Sequence, residues 1–583
     1  MSASKVADAN QGIGETTVPA AVCGPFEPCV WGDFFVAYTP PPLQAGGHAS
    51  RSIHWQMPNA TRPEEWMRGR VEQLKWEVRR MFQAGNAMDL PDDTVTLVDA
   101  LERLGVDNHF REEIDVALSR IHGDGEDDTD VGSSHNLHAV ALRFCLLRQH
   151  GFWVPTDVFD KFRDGMRGFN AELRHNPRGL LTLYNAAHMA VPGEAVLDDA
   201  MAFARRHLEA DAARGKLRSP LAEQVCRALE TPGPRFMRRL ETMHYITEYE
   251  REEGHNATVL ELARLDLNLV RSLHLKELRS LTLWWRNLYN DVKLPYARDR
   301  IVEPYFYACG IFHEEENSHI RIVFTKVFVL LGLMDDTYDV HATLEECQML
   351  NEAIQRWDET AATSLPKYMR MLYIKTLRNI NGIEDILEPF EKYRMMAYIQ
   401  KQYKLQSNNY LQEAKWSNGK HIPSLKEHAD VTLMSTGLPF LFSLALMAAG
   451  QVVVTKESLE WALSVPTMVR ASGEIGRLLN DISSYKRGKN KNDVASTVES
   501  YMKEHGATGE EAMAAIKTMV EQAWRRINGA CMELGRTMQP ALQWLVAMTR
   551  MLEVFYLHGR DGLTYGYDIK EIVAFLFLKQ VPV

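Results

Sequence analysis

Asp335-Asp336-Thr337-Tyr338-Asp339 places three carboxylates in five residues directly after the apolar run Val327 to Met334. A helix that is apolar up to Met334 and then abruptly acidic reads as a buried rod ending at a polar cavity. Asp335 and Asp339 stand at i and i+4, so a regular helix would project them from one face about 6 Å apart, with Asp336 rotated aside. Like charges that close repel, and hard oxygen donors without Cys or His suit Mg²⁺ or Mn²⁺ rather than zinc. A solvated acidic helix end is the alternative.

A second oxygen-rich stretch, Asn480-Asp481-Ile482-Ser483-Ser484, follows the apolar pair Leu478-Leu479. Asn480 and Ser484 share a helical face, and their oxygens are again hard donors. Alone such a string is often a capped helix terminus; paired with the first cluster it suggests two ligand-bearing helix ends across one cavity. Mg²⁺ keeps positions open for phosphate oxygens, so cationic residues should hold the rest of the anion. Arg298-Asp299-Arg300, Arg477 and the run Lys486 to Lys491 are the candidates, guanidinium being the better geometric match. The combination points to a diphosphate.

These residues must be positioned by a large scaffold. At 583 residues with 45% hydrophobic content, the chain can fill the cores of two large domains. A net charge of -11 leaves no basic footprint for nucleic acid. Seven scattered cysteines without a CxxC pair look like reduced thiols, and an N-terminus with no apolar segment and no Arg before Arg51 carries no visible address, so the expectation is cytoplasmic. Val431 to Thr455 carries no charge and is long enough to cross a bilayer, but Gly437, Pro439, Gly450 and Gln451 favour a core helix broken near Ser435 to Pro439.

The pattern predicts an all-α protein with an N-terminal helical domain over 1–250 and a second domain over 251–583. The Gly- and Pro-rich first fifty residues, ending in Pro40-Pro41-Pro42 and Gly46-Gly47, read as an arm; its aromatic part, Phe26 to Tyr38, should dock on a folded surface. Helical periodicity begins near Arg62, with breaks at Pro91, Gly105, Gly151, Pro155 and Pro192. Thr231-Pro232-Gly233-Pro234 and the charged segment Glu248 to Glu253 precede the domain junction. The acidic stretch Asp124 to Asp130 lacks an adjoining buried helix and reads as a solvated loop.

Taken together, Trp31-Gly32-Asp33 in the arm, Arg298 to Arg300, the DDxxD at Asp335 to Asp339, the Asn480 motif, and Tyr556 with Asp561 resemble the plant class I terpene synthases, most closely the cytosolic sesquiterpene branch. The resemblance implies a C-terminal class I terpenoid synthase α-bundle that does the chemistry and a catalytically silent, relic α-barrel at the N-terminus. It implies that Asp335, Asp336 and Asp339 face Mg²⁺ ions, with Asp335 and Asp339 the direct ligands, and that Asn480 and Ser484 hold a further Mg²⁺, three ions in all. Arg298, Arg300 and Arg477 would take the diphosphate. Tyr556 and Asp561 would lie at the cavity wall and lid, where Gly559, Gly562 and Gly566 supply flexibility. The implied reaction is Mg²⁺-dependent ionisation and cyclisation of farnesyl diphosphate to a sesquiterpene by a monomer.

Three departures stand out. Gly488 occupies the last carboxylate position of NDxxSxxxE, which predicts weaker metal affinity by roughly 10- to 100-fold. Tyr307 stands where relatives commonly carry Trp, so cation stabilisation there is weaker or redirected. The tandem arginine of many monoterpene enzymes would fall at Ala21-Val22 and is missing, which favours farnesyl over geranyl diphosphate. A monoterpene synthase, or an inactive helical scaffold because of Gly488, are the alternative readings.

Overall fold

The computed structural model describes residues 26–39, 64–88, 91–127, 136–165, 168–386, 392–450, 454–488, 494–534 and 536–583. Among these the regular structure is helical throughout, with one isolated antiparallel bridge between Arg163 and Phe169. Ala21-Val22, the triple proline and Gly46-Gly47 lie outside the described residues.

Among the described residues the N-terminal half is built from the short arm helix Phe34–Ala37 and eight longer α-helices: Glu64–Met88, Pro91–Arg103, Arg111–Asp127, Leu137–Gln149, Pro177–Ala187, Ala195–Ala213, Leu221–Glu230 and Arg238–Tyr249. Its breaks fall where chain chemistry puts them. Pro91 opens a helix whose first N–H needs no partner, and Gly105 adopts φ 70° just past Arg103, a conformation that costs a glycine little. Asp124 to Asp127, expected in a loop, continue the helix Arg111–Asp127; the stretch from Asp128 to Asp130 is outside the described residues.

After Gly254 the 36-residue helix Ala257–Val292 begins, its first turn capped by the Asn256 side chain accepting from Val259 N. It packs along Glu64–Met88, where Arg70 makes a two-pronged ion pair with Glu261 at 2.9 and 2.8 Å. One apolar core runs without interruption from Met67 and Leu74 through Leu262 and Leu278 to Phe577, so the core ignores the junction near residue 250. A smaller core, from Leu137 to Ala228, belongs to the N-terminal half alone. Fully burying one leucine in such a core contributes about 1.5–3 kcal/mol.

The arm docks as its aromatic content suggests. Trp31 and Phe35 are buried, Phe35 meets Phe577 edge-on at 6.1 Å, and Asp33 pairs with Arg286 at 2.9 Å. The charge-free stretch breaks as expected: Leu425–Ser435 ends, Gly437 turns at φ 72°, and Leu438–Ala449 starts with Pro439 in its first turn. The spans Glu315–His341 and Leu425–Ala449 are long and apolar enough to cross a membrane, and both are mostly buried inside the protein.

Candidate active site

Most residues singled out from the sequence for chemistry border one cavity of about 1250 Å³: Arg298, Arg300, Tyr307, Asp335, Asp336, Asp339, Arg477, Asn480, Ser484, Tyr556 and Asp561, with Arg487 and Gly488. Of the basic run Lys486 to Lys491, Lys486 does not line it and 489–491 lie outside the described residues. Two helix ends form opposing walls. Ser318–Asp336 brings the carboxylates, and Thr467–Arg487 brings Asn480 and Ser484.

The first wall departs from regular geometry. The α-helix stops at Asp336 and the chain opens into a π-helical turn, Thr337–His341, before Thr343 caps the next helix. Simple i, i+4 spacing therefore does not set how Asp335 and Asp339 relate. The widened turn is pinned by its own buried polar groups: Thr337 Oγ1 donates to Leu333 O at 2.7 Å and meets the Tyr296 hydroxyl at 3.1 Å, while the Tyr338 hydroxyl meets Ser407 at 2.8 Å. Such turns are frequent at functional sites.

The carboxylates divide in role. Asp336 is buried, and its Oδ2 accepts from the Arg298 backbone N–H at 2.7 Å while its Oδ1 pairs with Arg298 Nε at 2.7 Å. Burial, opposed by Arg298, lifts its carboxyl to about 6. Asp335 and Asp339 open onto the cavity, Asp335 also accepting from Arg298 Nη2 at 2.7 Å. Asp339 has solvent-accessible surface, yet protein hems it in, and this desolvation together with the Asp335 and Glu413 charges holds its carboxyl well above the usual range. Positive charge placed here would relieve that crowding.

The second wall repeats the division with less charge. Asp481 turns into the protein, where its Oδ2 accepts from the Thr497 N–H at 2.7 Å and hydroxyl at 2.6 Å. Asn480 and Ser484 remain half-buried on the cavity side. Buried Ser483 ties the lid, donating toward Gly559 O and Arg560 O at 2.8 Å each. Gly488 terminates the helix at φ 71°, and a β-carbon built on it would meet nothing within 4 Å. Among the described residues nothing lies within 4 Å of where a side chain at this position would begin.

Among the described residues no three His, Cys, Asp or Glu side chains converge tightly enough to hold a metal by themselves. The donors that do face the cavity, Asp335 and Asp339 against Asn480 and Ser484, are hard oxygens with room between them, which suits Mg²⁺ completing its shell with water and phosphate oxygens. The residues present fit such an ion.

Cations ring the mouth. Arg477 bonds the Ser435 hydroxyl at 3.2 Å and lies 3.6 Å from both Glu413 and Asp481. Arg300 is buried with Nε and Nη1 unpartnered, beside Glu303, which burial raises to about 7. Gly566 of the lid closes over this pair so tightly that a β-carbon would sit 2.6 Å from Glu303 Oε1. The lid glycine is thus required by close approach rather than by flexibility. Phe26 of the arm lies under the Arg298 guanidinium, 5.4 Å from ring centre, so the arm borders the cavity as well as docking.

Glu413 escaped sequence reasoning. It is buried within the long helix Lys392–Gly419, borders the cavity, and accepts from the Ser435 hydroxyl at 2.8 Å. Burial, against the pull of Arg477, lifts it to about 7. A signal existed: a lone carboxylate on the same stripe as Tyr410, Leu411 and Ala414, a position where charge survives only with a partner.

The floor is aromatic and aliphatic. Tyr307 stacks on Phe324 at 6.2 Å and meets Phe328 and Phe555 edge-on at 5.5 and 5.4 Å. Its hydroxyl donates to Met548 O at 2.8 Å. Tyr556 is buried at the cavity wall, its phenol held above the ordinary value by burial and by Asp561. Asp561 accepts from the Thr564 N–H at 3.0 Å inside the lid turn.

Comparison with known proteins agrees with this arrangement. Residues 286–526 match the terpene synthase family metal-binding domain, and residues 48–229 match the terpene synthase N-terminal domain. The chain is 56% identical to a eudesmanediol synthase of Zea mays over 95% of this chain and 96% of the relative. It is 41% identical to a tau-cadinol synthase of the same plant, covering 98% and 99%. The structure of isoprene synthase from grey poplar, in complex with three Mg²⁺ ions and dimethylallyl-S-thiolodiphosphate, superposes with a TM-score of 0.80 at 30% identity, covering 89% of this chain and 98% of that one. The chain belongs to the terpene synthase family, and its C-terminal half is a divalent-metal-binding domain.

Proposed function

We propose that the protein is a sesquiterpene synthase that ionises farnesyl diphosphate and cyclises the resulting allylic cation, releasing diphosphate. The observation that carries this reading is the pair of oxygen-bearing helix ends facing one cavity whose far end is apolar and aromatic. Divalent cations, three Mg²⁺ on the precedent of the poplar complex with Mn²⁺ as a substitute, would supply Lewis-acid neutralisation of the diphosphate charge when bound.

The chain's own groups do the rest. Asp335 and Asp339 on one wall, with Asn480 and Ser484 on the other, would hold the cations, with the Glu413 carboxyl bordering the same cavity. Asp336 fixes Arg298 through its backbone and side chain, so that Arg298, Arg300 and Arg477 receive the departing diphosphate in preset positions. Tyr307 and Phe328 offer ring faces to the cation and keep water from the floor, with Phe555 packed behind Tyr307. Tyr556 and Asp561 close the wall under the lid. The 1–250 half is silent in this chemistry, and the catalytic unit is 251–583. All six described cysteines are unpaired, which supports a cytosolic location; the enzyme acts as a monomer on a small isoprenyl diphosphate.

The test is incubation of purified protein with Mg²⁺ and farnesyl or geranyl diphosphate in parallel, with gas chromatography of hexane and ethyl acetate extracts, since a dihydroxylated product of the kind named for the maize relative partitions poorly into hexane. A cyclic C15 product formed faster than any C10 product is expected. Turnover of geranyl diphosphate alone would reassign the enzyme to monoterpene synthesis, and no turnover of either would leave only a scaffold.

A further inference from the structure

A second cavity, of about 150 Å³, lies on the seam between the two halves, far from the chemistry. The N-terminal helices contribute Asp99, Glu102, Arg103 and Arg238 to its wall, and the catalytic half contributes Arg550. Nearly every charge here is closed by a partner. Arg103 and Arg227 share Glu241 at 2.8 and 2.9 Å, Arg227 also grips Glu248 at 2.8 Å, and Arg238 pairs with Asp107 at 2.8 Å and Glu102 at 3.5 Å.

Arg550 is the exception. It is only 8% exposed, and its one hydrogen bond runs from Nε to Pro234 O at 2.8 Å. Among the described residues no hydrogen-bond acceptor meets either Nη group, and the residue lines the cavity. Glu102, whose charge reaches Arg550, is shared with His150 and Arg238. A guanidinium cannot escape by losing its proton under physiological conditions, and burial with the Arg238 charge nearby pulls even this group down to about 9. A buried charge whose one nearby counter-charge is shared with two other cations is costly. Water would satisfy the N–H groups but not the charge.

We infer that this cavity is an anion site: a small oxyanion of the phosphate class sits on the Nη fork of Arg550 and completes the seam. The fork geometry of a guanidinium matches two oxygens of such an ion, and the space admits it with several waters. Arg550 stands six residues before Tyr556 on the helix Gln539–Tyr556, about 9 Å along its axis. The ion would therefore bolt the N-terminal half to the helix that carries a wall of the catalytic cavity. Free phosphate and the diphosphate released by the reaction share the required chemistry.

Two measurements on the full-length protein test this. Crystals grown without phosphate or sulfate and soaked in selenate should show an anomalous peak within hydrogen-bond reach of the Arg550 Nη atoms, separate from any at Arg298 or Arg477; peaks at the catalytic arginines with none at Arg550 would overturn the inference. In solution with Mg²⁺ chelated, inorganic phosphate should raise the melting temperature in proportion to the logarithm of its concentration once the site saturates, and Arg550→Gln should lose at least half of that shift. An undiminished shift in Arg550→Gln also overturns it. Repeating the titration with diphosphate assigns the occupant to whichever anion half-saturates lower. Should Arg550→Gln not fold, the selenate map of the unaltered protein decides alone.

Discussion

The two cavities are made of the same materials, helices carrying Asp, Glu and Arg, and differ in how charge is settled. In the seam most carboxylates are consumed by arginines: Glu241 bridges Arg103 and Arg227, and these pull its carboxyl down to about 2 despite burial, while burial lifts Asp99, 3.8 Å from Arg103, to about 6. In the catalytic cavity Asp335, Asp339 and Glu413 crowd one another, and burial with mutual repulsion pushes the latter two upward. One region has spent its electrostatics on holding the fold, while the other leaves it unspent for ligands. Perturbed carboxyls in a cleft mark function when the perturbation runs against ionisation and no protein group relieves it.

The sharpest way to break this contrast is Asp335→Asn. Product formation should fall about 10³-fold, the scale of losing one electrostatic group aimed at developing charge, while the melting temperature holds or rises because Asp339 loses a like-charged neighbour. A large drop in melting temperature with activity preserved would show Asp335 to be structural. Glu241→Gln should do the reverse, destabilising by about 3 kcal/mol as Arg103 and Arg227 lose their shared partner. Activity per folded molecule should stay unchanged at low temperature, and chemical denaturation alongside product assays reads both.

Acid sharpens the contrast further. Burial holds His188, in the N-terminal half, near 3, against about 6.5 in an unfolded chain. Between those values the unfolded chain binds a proton that the folded protein refuses, so stability falls as pH drops below about 6.5, by about 2 kcal/mol at pH 5 from this residue. Melting curves from about pH 7 to pH 5 should show the decline, and His188→Gln should lessen it, the remainder coming from His138 and His313, which burial also depresses; an equally steep decline in the variant removes His188 as a cause. The smallest effect concerns the weaker wall. Gly488→Glu should lower the Mg²⁺ concentration for half-maximal turnover about tenfold, at a cost of about 1–2 kcal/mol because Gly488 is left-handed. An unchanged Mg²⁺ requirement would mean that the open space beside Gly488 lies beyond reach of the ion.

The sequence carried much of this because its signals were local. An apolar run meeting three carboxylates, and Asn480 with Ser484 one helical turn apart, survive translation into structure because each depends only on a helix. The hidden parts depend on packing between distant elements. The π turn at Thr337–His341 rests on Tyr296 from the turn after Val292 and on Ser407 from the helix Lys392–Gly419. The inward rotation of Asp336 and Asp481 rests on backbone N–H groups at Arg298 and Thr497. Glu413 lies in no motif, and the domain junction near residue 250, plain in the turn chemistry, is crossed by a single continuous core.

Ser483 hitches the segment over the cavity to the very rod that presents Asn480 and Ser484. Any ion held by Asn480 and Ser484 would consequently be mechanically joined to the posture of the covering loop, one residue apart. Any axial turn that drew Ser484 inward would drag the roof with it, so recruitment of the headgroup and sealing from solvent become a single event rather than two.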